Sequence, residues 1–562
     1  MENLTASQRA RIAIRNFKTT ADALSLRGYY KPSGQSGQTL EMALRGFSPE
    51  IYGSMNDPSI NELKGLEYVI DRLPRGIELC TRIILTADEN MDHTSFEKIE
   101  PLKRRRTSYR LNDKEMCFVI TRGLSEIYDV LTHLTFLNIE SEKICKRIHD
   151  DSGKITKEWR TLEEDVLKGA ELKGTELDRA IWNLSMILGR TYHETQETYE
   201  YLEKNRKEFH SNTSLFEIIY GLGKKRMEEE LNKENEIVVY FTPSLREMIG
   251  HHKYASIWAK TIKEKLISLG LEHRPLHIIS ANMHSIINAL YAYAYDQETA
   301  ILSDINNLYE YFSQIRDREN CIKEFAKSHG LIEVPDQSGT HIDCQILDTS
   351  LMKSIVFHPE FRIDKSIIES DTAPVILVMD YAFGTQAFEV MDELIVPYQK
   401  EDIKIQFQID SISIMGKAGI LPGKKGDIML ATAHVLEGTP NNYIVQNDLC
   451  RDDFDSSVNV YVGVIVTVLG TSLQNRDVLH KFQTTSWNAV GLEMEGGHYQ
   501  RAINAAIIRG HIRQDVKVRY AYYASDNPLM SGQTLASGSM GKEGIKPTYM
   551  ISKVILEKIL NS

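Results

Sequence analysis

Cysteine is scarce in this chain of 562 residues. The six cysteines are Cys80, Cys117, Cys145, Cys321, Cys344 and Cys450. They are widely scattered, no two have the spacing of metal ligands, and so few in so long a chain are not a disulfide framework. We therefore expect reduced thiols in a cytoplasmic protein, and no metal site.

Long hydrophobic runs are also missing. No stretch approaches the roughly 18 apolar residues that span a bilayer, and the start, Met1–Thr5, lacks the basic-then-apolar layout of a signal peptide. The net charge of -12 offers no overall attraction to nucleic acid or to an anionic membrane. These absences predict a soluble cytoplasmic protein without a nucleic-acid or membrane partner. Any phosphate-bearing ligand then needs a local pocket.

What is present is an ordinary globular composition, with 42% hydrophobic and 26% charged residues. The pattern up to residue 235 predicts helices, because apolar residues recur at steps of three and four in 117–131 and again in 177–188. We predict a mainly α-helical N-terminal region, 1–235, to which the sequence assigns no role.

The pattern changes at Glu236–Pro243, a short apolar run closed by a turn signal. From there, strand-like runs alternate with helical segments. The strand candidates are 276–280, 375–379, 411–415, 427–431 and 458–466. Several are continuously apolar, as strands buried on both faces require. We predict an α/β domain over 236–562 with a polar insertion at 305–350.

Two glycine-containing turns follow predicted strands. In the first, Gly384 and Thr385 precede a helix, where backbone N–H groups can bind an anion or a hydroxyl group. Strand–glycine–helix turns are common, so this signal alone is weak. In the second, Gly416-Lys417-Ala418-Gly419, the two glycines allow the backbone to approach a flat ligand closely. Further blocks follow at Gly426-Asp427 and at 437–443.

Two acidic blocks lie near the C-terminus. Glu493-Met494-Glu495 follows an apolar run and opens a helical segment, where acids are favoured by the helix dipole in any case. Ser525-Asp526 ends a strand-like run. A carboxylic acid at the mouth of a buried strand has a pKa that desolvation raises, which suits a general acid. The plainer interpretation of Asp526 is a turn or helix-cap residue before Pro528.

Taken in order, these blocks resemble the nucleoside phosphorylase and nucleosidase superfamily, and most of all the AMP nucleosidase-like proteins. The likeness covers 274–560 if the insertion is skipped. It implies a three-layer domain with a central mixed sheet, no metal or organic cofactor, and a homo-oligomer. It also implies that Asp526 protonates the leaving purine, that Ser525 orients Asp526, and that Glu495 binds the ribose, with Met494 packed on the sugar.

The same resemblance suggests further ligand contacts. Trp487 is a candidate to stack on the base, and Asn282 and His284 follow the first sheet strand, where such proteins reach the 5′ end of the ligand or the attacking water. Their plainer interpretations are a core aromatic and residues that cap a helix. Glu437, Glu493 and His284 are all candidates to activate water. The loop 530–539 is rich in small residues and could close over the site.

One departure from the superfamily bears on the reaction. Phosphorylases place arginines where this chain has Ile414 and Val435, so we expect hydrolysis rather than phosphorolysis. The predicted activity is release of the free base from a purine nucleotide or nucleoside, AMP-like, leaving ribose or ribose 5-phosphate. Two alternatives stay open: a phosphate-dependent purine nucleoside phosphorylase, and a non-catalytic nucleotide sensor.

Overall fold

The structure is a computed structural model that describes residues 4–87, 91, 93–103, 106–169, 171–300, 307–530 and 540–561. The chain divides into two compact units. The first comprises Met1–His251 together with Ser472–Val478, and the second comprises His252–Thr471 together with Leu479–Ser562. In the described residues, no helix is both long enough and apolar enough to cross a membrane.

The N-terminal unit is mostly helical. Its helices are α1 (Ala6–Arg27), α2 (Gln35–Phe47), α3 (Leu63–Ile70), α4 (Gly123–Cys145), α5 (Lys157–Lys168), α6 (Thr175–Leu188), α7 (Tyr192–Phe209), α8 (Leu215–Leu231) and α9 (Pro243–Met248). Several begin where the sequence supplies a cap. For α7, the Thr191 side chain accepts from the backbone of Glu194 while the Glu194 side chain accepts from the backbone of Thr191.

This unit also contains a sheet that the sequence did not predict. Its strands are β1 (Tyr29–Tyr30), β2 (Arg82–Thr86), β3 (Glu97–Lys98), β4 (Thr107–Asn112), β5 (Glu115–Val119) and β6 (Val238–Phe241), in the order β1-β6-β2-β5-β4-β3. Strand β6 pairs with β1 and β2. The apolar run at 236–243 therefore closes the N-terminal sheet, and was wrongly taken as the start of the α/β domain.

The C-terminal unit alternates strands and helices. Its strands are β7 (Leu276–Ser280), β8 (Leu331–Val334), β9 (Cys344–Asp348), β10 (Val375–Met379), β11 (Tyr398–Lys400), β12 (Ile403–Ile405), β13 (Ile409–Ile420), β14 (Ile428–Leu436), β15 (Asn442–Ile444), β16 (Val460–Thr467), β17 (Ala489–Glu493) and β18 (Lys517–Asp526). Its helices are α10 (Lys253–Ser268), α11 (Met283–Thr299), α12 (Leu308–Gln314), α13 (Glu319–Lys327), α14 (Lys365–Glu369), α15 (Gln386–Ile395), α16 (Arg476–Thr484, which begins within Ser472–Val478), α17 (Gly496–Ile508) and α18 (Ile545–Leu560).

The central sheet of this unit is mixed, and part of it closes on itself. Strand β13 pairs with β18, β18 with β14, β14 with β16, β16 with β17, and β17 returns to β13. On the other side of β13 the sheet continues through β7 and β10 to β9 and β8. The predicted insertion thus supplies β8 and β9, which extend the edge of the sheet.

Helices cover both faces of the sheet. The surroundings of β10 explain why its sequence is continuously apolar. Val375, Leu377 and Met379 enter a core shared with α10, α15 and α17. Ile376 and Val378 enter a second core, shared with α11, α12, α13 and α18. Because neighbouring side chains of a strand point to opposite faces, burial on both sides demands an unbroken apolar run. The predicted α/β class, with a three-layer C-terminal domain after a mainly helical region, is confirmed.

Candidate active site

The carboxyl ends of the parallel strands β7, β13 and β18 meet at one edge of the sheet, where α/β proteins bind ligands. Strand β13 is only partly flanked on one side. Strand β7 pairs with it as far as Ile414, and β17 pairs with it from Gly419 onward. Between these points, among the described strands, the backbone of 415–418 has a neighbour only in β18. The Gly416-Lys417-Ala418-Gly419 turn therefore lies at an opening in the sheet.

Asp526 ends β18 beside this opening, in register with Gly419. The Ser525 hydroxyl donates to Asp526 Oδ1 at 2.5 Å and also lies 3.2 Å from the carbonyl oxygen of Ala418. Asp526 is 2% exposed, and its Oδ2 atom has no hydrogen-bond partner among the described residues. Burial raises the pKa of Asp526, against the opposing effects of Ser525 and Lys417. The site thus holds a buried carboxyl group, one oxygen of which has no hydrogen-bond partner among the described residues.

Glu493 is buried, and the protein itself occupies its carboxylate. Oε1 accepts from the Thr467 hydroxyl at 2.6 Å, and Oε2 accepts from the backbone N–H groups of Glu495 and Gly496. Burial alone would raise the pKa of Glu493, but His434, whose Nδ1 lies 3.4 Å from Oε1, and these hydrogen bonds hold it below its usual value. Glu493 is therefore an ionised anchor for the first turn of α17.

Glu495 is half-buried and precedes α17 directly. Its Oε1 atom accepts a hydrogen bond from the backbone N–H of Gly384 at 3.0 Å. Gly384 has φ +56°, a left-handed conformation that glycine adopts without strain. The structure thus brings together two of the predicted blocks, the turn after β10 and the acid after β17. With Glu493 anchored beneath it, Glu495 has a defined place at the strand ends.

The remaining predicted residues lie in different settings. Lys417 is exposed and acts electrostatically on Asp526, whereas Met494 is buried. Trp487 is half-buried and packs its ring edge-on against Phe482, with 6.2 Å between centroids.

Asn282 precedes α11 without capping it through its side chain. Thr385 directly precedes α15, and His284 lies exposed in the first turn of α11. Residues 531–539 of the small-residue loop fall outside the described residues.

Sequence reasoning missed Tyr381. This tyrosine lies two residues after the end of β10, and a Cβ atom added to Gly416 would meet its ring at 3.4 Å. Its hydroxyl interacts with Tyr523 and with the backbone of Asn282. Tyr381 thus joins the ends of β7, β10, β13 and β18. The available signal was its position: a tyrosine between a buried strand and a glycine turn.

His434 was also missed. It is fully buried in β14, and its ring lies 4.7 Å from that of Tyr520. A lone histidine inside an otherwise apolar strand was the signal. Its contact with Glu493 links β14 to the turn that carries Glu495.

We expect Gly496→Ala to destabilise this arrangement. A Cβ atom at residue 496 would lie 2.3 Å from His434 Cε1 and 2.3 Å from the Tyr522 hydroxyl, and both side chains are buried. Such overpacking costs about 1–3 kcal/mol, so the thermal unfolding midpoint of the variant should fall by several degrees. Gly53→Ala is the matched control, because its nearest neighbour is 3.5 Å away at an ordinary φ of -47°. An unchanged midpoint for Gly496→Ala would contradict the close packing described here.

Fold and site together define an α/β protein with a buried acid and a half-buried carboxylate at the carboxyl ends of its strands. The chain belongs to the family of unknown function DUF6909, whose sequence model matches residues 38–310 and 306–561. No curated protein matches it significantly.

Among solved structures, the chain is similar to the futalosine hydrolase of Helicobacter pylori strain 26695, with 11% identity and a TM-score of 0.30 over 51% of this chain and 98% of that one. It is also similar to Helicobacter pylori MTAN, with 12% identity and a TM-score of 0.30 over 51% of this chain and 100% of that one. A third is uridine phosphorylase from Schistosoma mansoni in complex with thymidine, with 12% identity and a TM-score of 0.29 over 51% of this chain and 85% of that one.

Proposed function

We propose that the C-terminal unit hydrolyses the N-glycosidic bond of a purine nucleotide or nucleoside, releasing the free base. The observation that carries the proposal is Asp526: a buried carboxyl group at the strand ends, with a raised pKa and an unpartnered Oδ2. A purine leaves readily only when N7 accepts a proton or a strong hydrogen bond, and a carboxyl group with a raised pKa supplies this. The order of the sequence blocks supports the same assignment.

In the proposed reaction the bond from C1′ to the purine nitrogen breaks, and its electron pair leaves with the base. Asp526 donates its proton to N7, so the base departs neutral. Positive charge builds on the sugar, and the Glu495 carboxylate stabilises it while holding the ribose hydroxyl groups. Water adds to C1′ and releases a proton, which restores the acid through solvent. The products are the free base and ribose or ribose 5-phosphate.

Two apolar side chains support water as the nucleophile. Ile414 and Val435 are 3% and 4% exposed. By the resemblance in sequence, they correspond to positions where phosphorylases of the superfamily carry arginines. A phosphate ion needs cationic donors to replace its hydration, and these two positions offer none. Glu493 is an unsuitable base for the water because its oxygens already accept hydrogen bonds.

A chromatographic assay for free base tests the proposal. The full chain is incubated with AMP, GMP, IMP, adenosine, inosine and methylthioadenosine, each with and without phosphate. We expect base release without phosphate, and the preferred substrate then shows whether a 5′-phosphate is required. Release that depends strictly on phosphate would identify a phosphorylase. Saturable binding with no release would identify a nucleotide sensor, and both outcomes contradict the proposal. Assembly as a homo-oligomer in the cytoplasm stays a prediction.

A further inference from the structure

A second group of polar side chains lies at the opposite edge of the same sheet, where β7, β13 and β18 begin. The register places His277, Ser411 and Lys517 side by side in one row across the three strands. Two residues further along, Ser413 pairs with Arg519. Further along the strands this face is apolar and belongs to the core that contains α18. A block of polar residues at its start therefore needs an explanation other than packing.

Two of these groups are buried without a hydrogen-bond partner among the described residues. Arg519 is 2% exposed, and its Nε donates to Asp448 at 2.8 Å, but its Nη1 has no partner. The hydroxyl of Ser413 is fully buried and also lacks one. A buried donor without a hydrogen bond lowers the stability of the fold, and the cost is greater for a charged guanidinium group than for a neutral hydroxyl group. Of these two, Arg519 also lines space at this edge that a ligand could occupy.

Arg519 and Lys517 line two cavities at this edge. One has a volume of about 410 Å³ and is also lined by His277, Ser411 and Thr372. The other has a volume of about 430 Å³ and extends toward the end of α18. Each is within the size range of small-molecule sites, about 300–1,000 Å³. The unpartnered guanidinium nitrogen thus belongs to a side chain that opens onto space for a ligand.

Most charges around these cavities are paired. Asp448 pairs with Arg519 at 2.8 Å, and Glu557 pairs with Lys553 at 3.3 Å. Arg513 is 2.9 Å from Asp515 and 3.9 Å from Asp410, so these charges largely compensate one another. Lys558 pairs with Asp453 at 3.0 Å in the same way. Lys517 is exposed and forms no ion pair with any described residue.

We propose that this edge binds the phosphate group of a small phosphorylated molecule. Lys517, the Nη1 atom of Arg519 and the hydroxyl group of Ser411 supply the donors, and cationic nitrogen with a hydroxyl group suits the oxygens of a phosphate. Ser411 Oγ lies 2.7 Å from His277 Nδ1, and when that nitrogen carries the proton the hydroxyl can donate to the ligand. His277 stays neutral here, because burial and the neighbouring Arg519 lower its pKa to about 4. The site is independent of Asp526 and Glu495, which lie at the other ends of the strands.

The test is calorimetric titration of the full chain with glycerol 3-phosphate and with inorganic phosphate, and with acetate for comparison. We expect saturable binding of both phosphates and weaker binding of acetate. Lys517→Met should weaken phosphate binding by about tenfold or more, the contribution of one hydrogen bond from a charged group. Ser411→Ala should weaken it by about threefold, since a neutral hydrogen bond contributes less.

Two variants serve as controls. Lys400→Met removes a lysine that is exposed on β11, away from these cavities, and should bind phosphate as the wild type does. Asp526→Asn should also bind normally, which separates this site from the proposed active site. The proposal is overturned if no phosphate binds saturably, if Lys517→Met and Ser411→Ala both bind like the wild type, or if acetate binds as tightly as phosphate.

Discussion

Asp526→Asn is expected to lower kcat for base release by about 10²–10⁴-fold, the usual contribution of general acid catalysis. Asparagine keeps an oxygen that can accept the Ser525 hydroxyl, so the local hydrogen bond survives. What it removes is the transferable proton on the second oxygen, Oδ2. Substrate affinity, measured by equilibrium binding, should change little. The measurement is steady-state release of free base from the substrate that the panel selects.

Two comparisons make the Asp526→Asn result specific. Asp402→Asn alters an exposed aspartate in the turn between β11 and β12 and should release base at the wild-type rate. The second comparison is the dependence of activity on pH. Because burial raises the pKa of Asp526 and only the acid form donates, wild-type activity should fall as the pH rises through that pKa. The residual activity of Asp526→Asn should lack this fall. Normal turnover by Asp526→Asn would remove this residue from the mechanism.

The strands of the C-terminal sheet were predictable because their burial leaves a direct trace in the sequence. Strands β7 and β10 occupy the predicted runs 276–280 and 375–379. Strand β10 is continuously apolar, as burial on both faces demands, and β7 is apolar except for His277 and Ser280. Strands β8 and β9 were missed because they lie in a polar stretch at the edge of the sheet, where β8 is only half-buried in its middle. The sequence of β6 is apolar, like the sequences of the buried strands of the C-terminal sheet. Only its long-range pairing with β1 and β2 decides which sheet it joins.

The site was predictable as separate blocks of residues, but not as a geometry. Spacing along the chain placed Glu495 and Gly384 in two motifs, whereas their hydrogen bond depends on how β10 and β17 are arranged in the sheet. The resemblance assigned Glu495 to the ribose and left Glu493 as a candidate to activate water, but the residue pattern alone does not separate the two glutamates. Their different roles follow from burial, because Glu493 lies under α17 beside His434 and Thr467. Hydrogen bonds that join distant strands leave no local signal.

This division of roles decides which glutamate tests the electrostatic part of the mechanism. Replacing Glu493 would remove the acceptor of two backbone N–H groups and of Thr467, and the first turn of α17 would lose its anchor. A loss of activity could then result from disorder of the first turn of α17 as well as from the loss of a catalytic group. Glu495 is half-buried, and its side chain accepts a hydrogen bond from the backbone N–H of Gly384. A change there can remove the charge and leave the turn in place.

Glu495→Gln is therefore expected to lower kcat/KM by about 10²–10³-fold, the scale measured when one electrostatic contact to a transition state is removed. The glutamine oxygen can still accept from Gly384, but the negative charge that stabilises the cationic sugar is gone. Glu298→Gln, an exposed change on α11, is the control and should be neutral. The thermal unfolding midpoint of Glu495→Gln should match that of the wild type. A normal rate in this variant would mean that the charge of Glu495 has no part in cleaving the bond, and the proposed ribose contact would have to be assigned elsewhere.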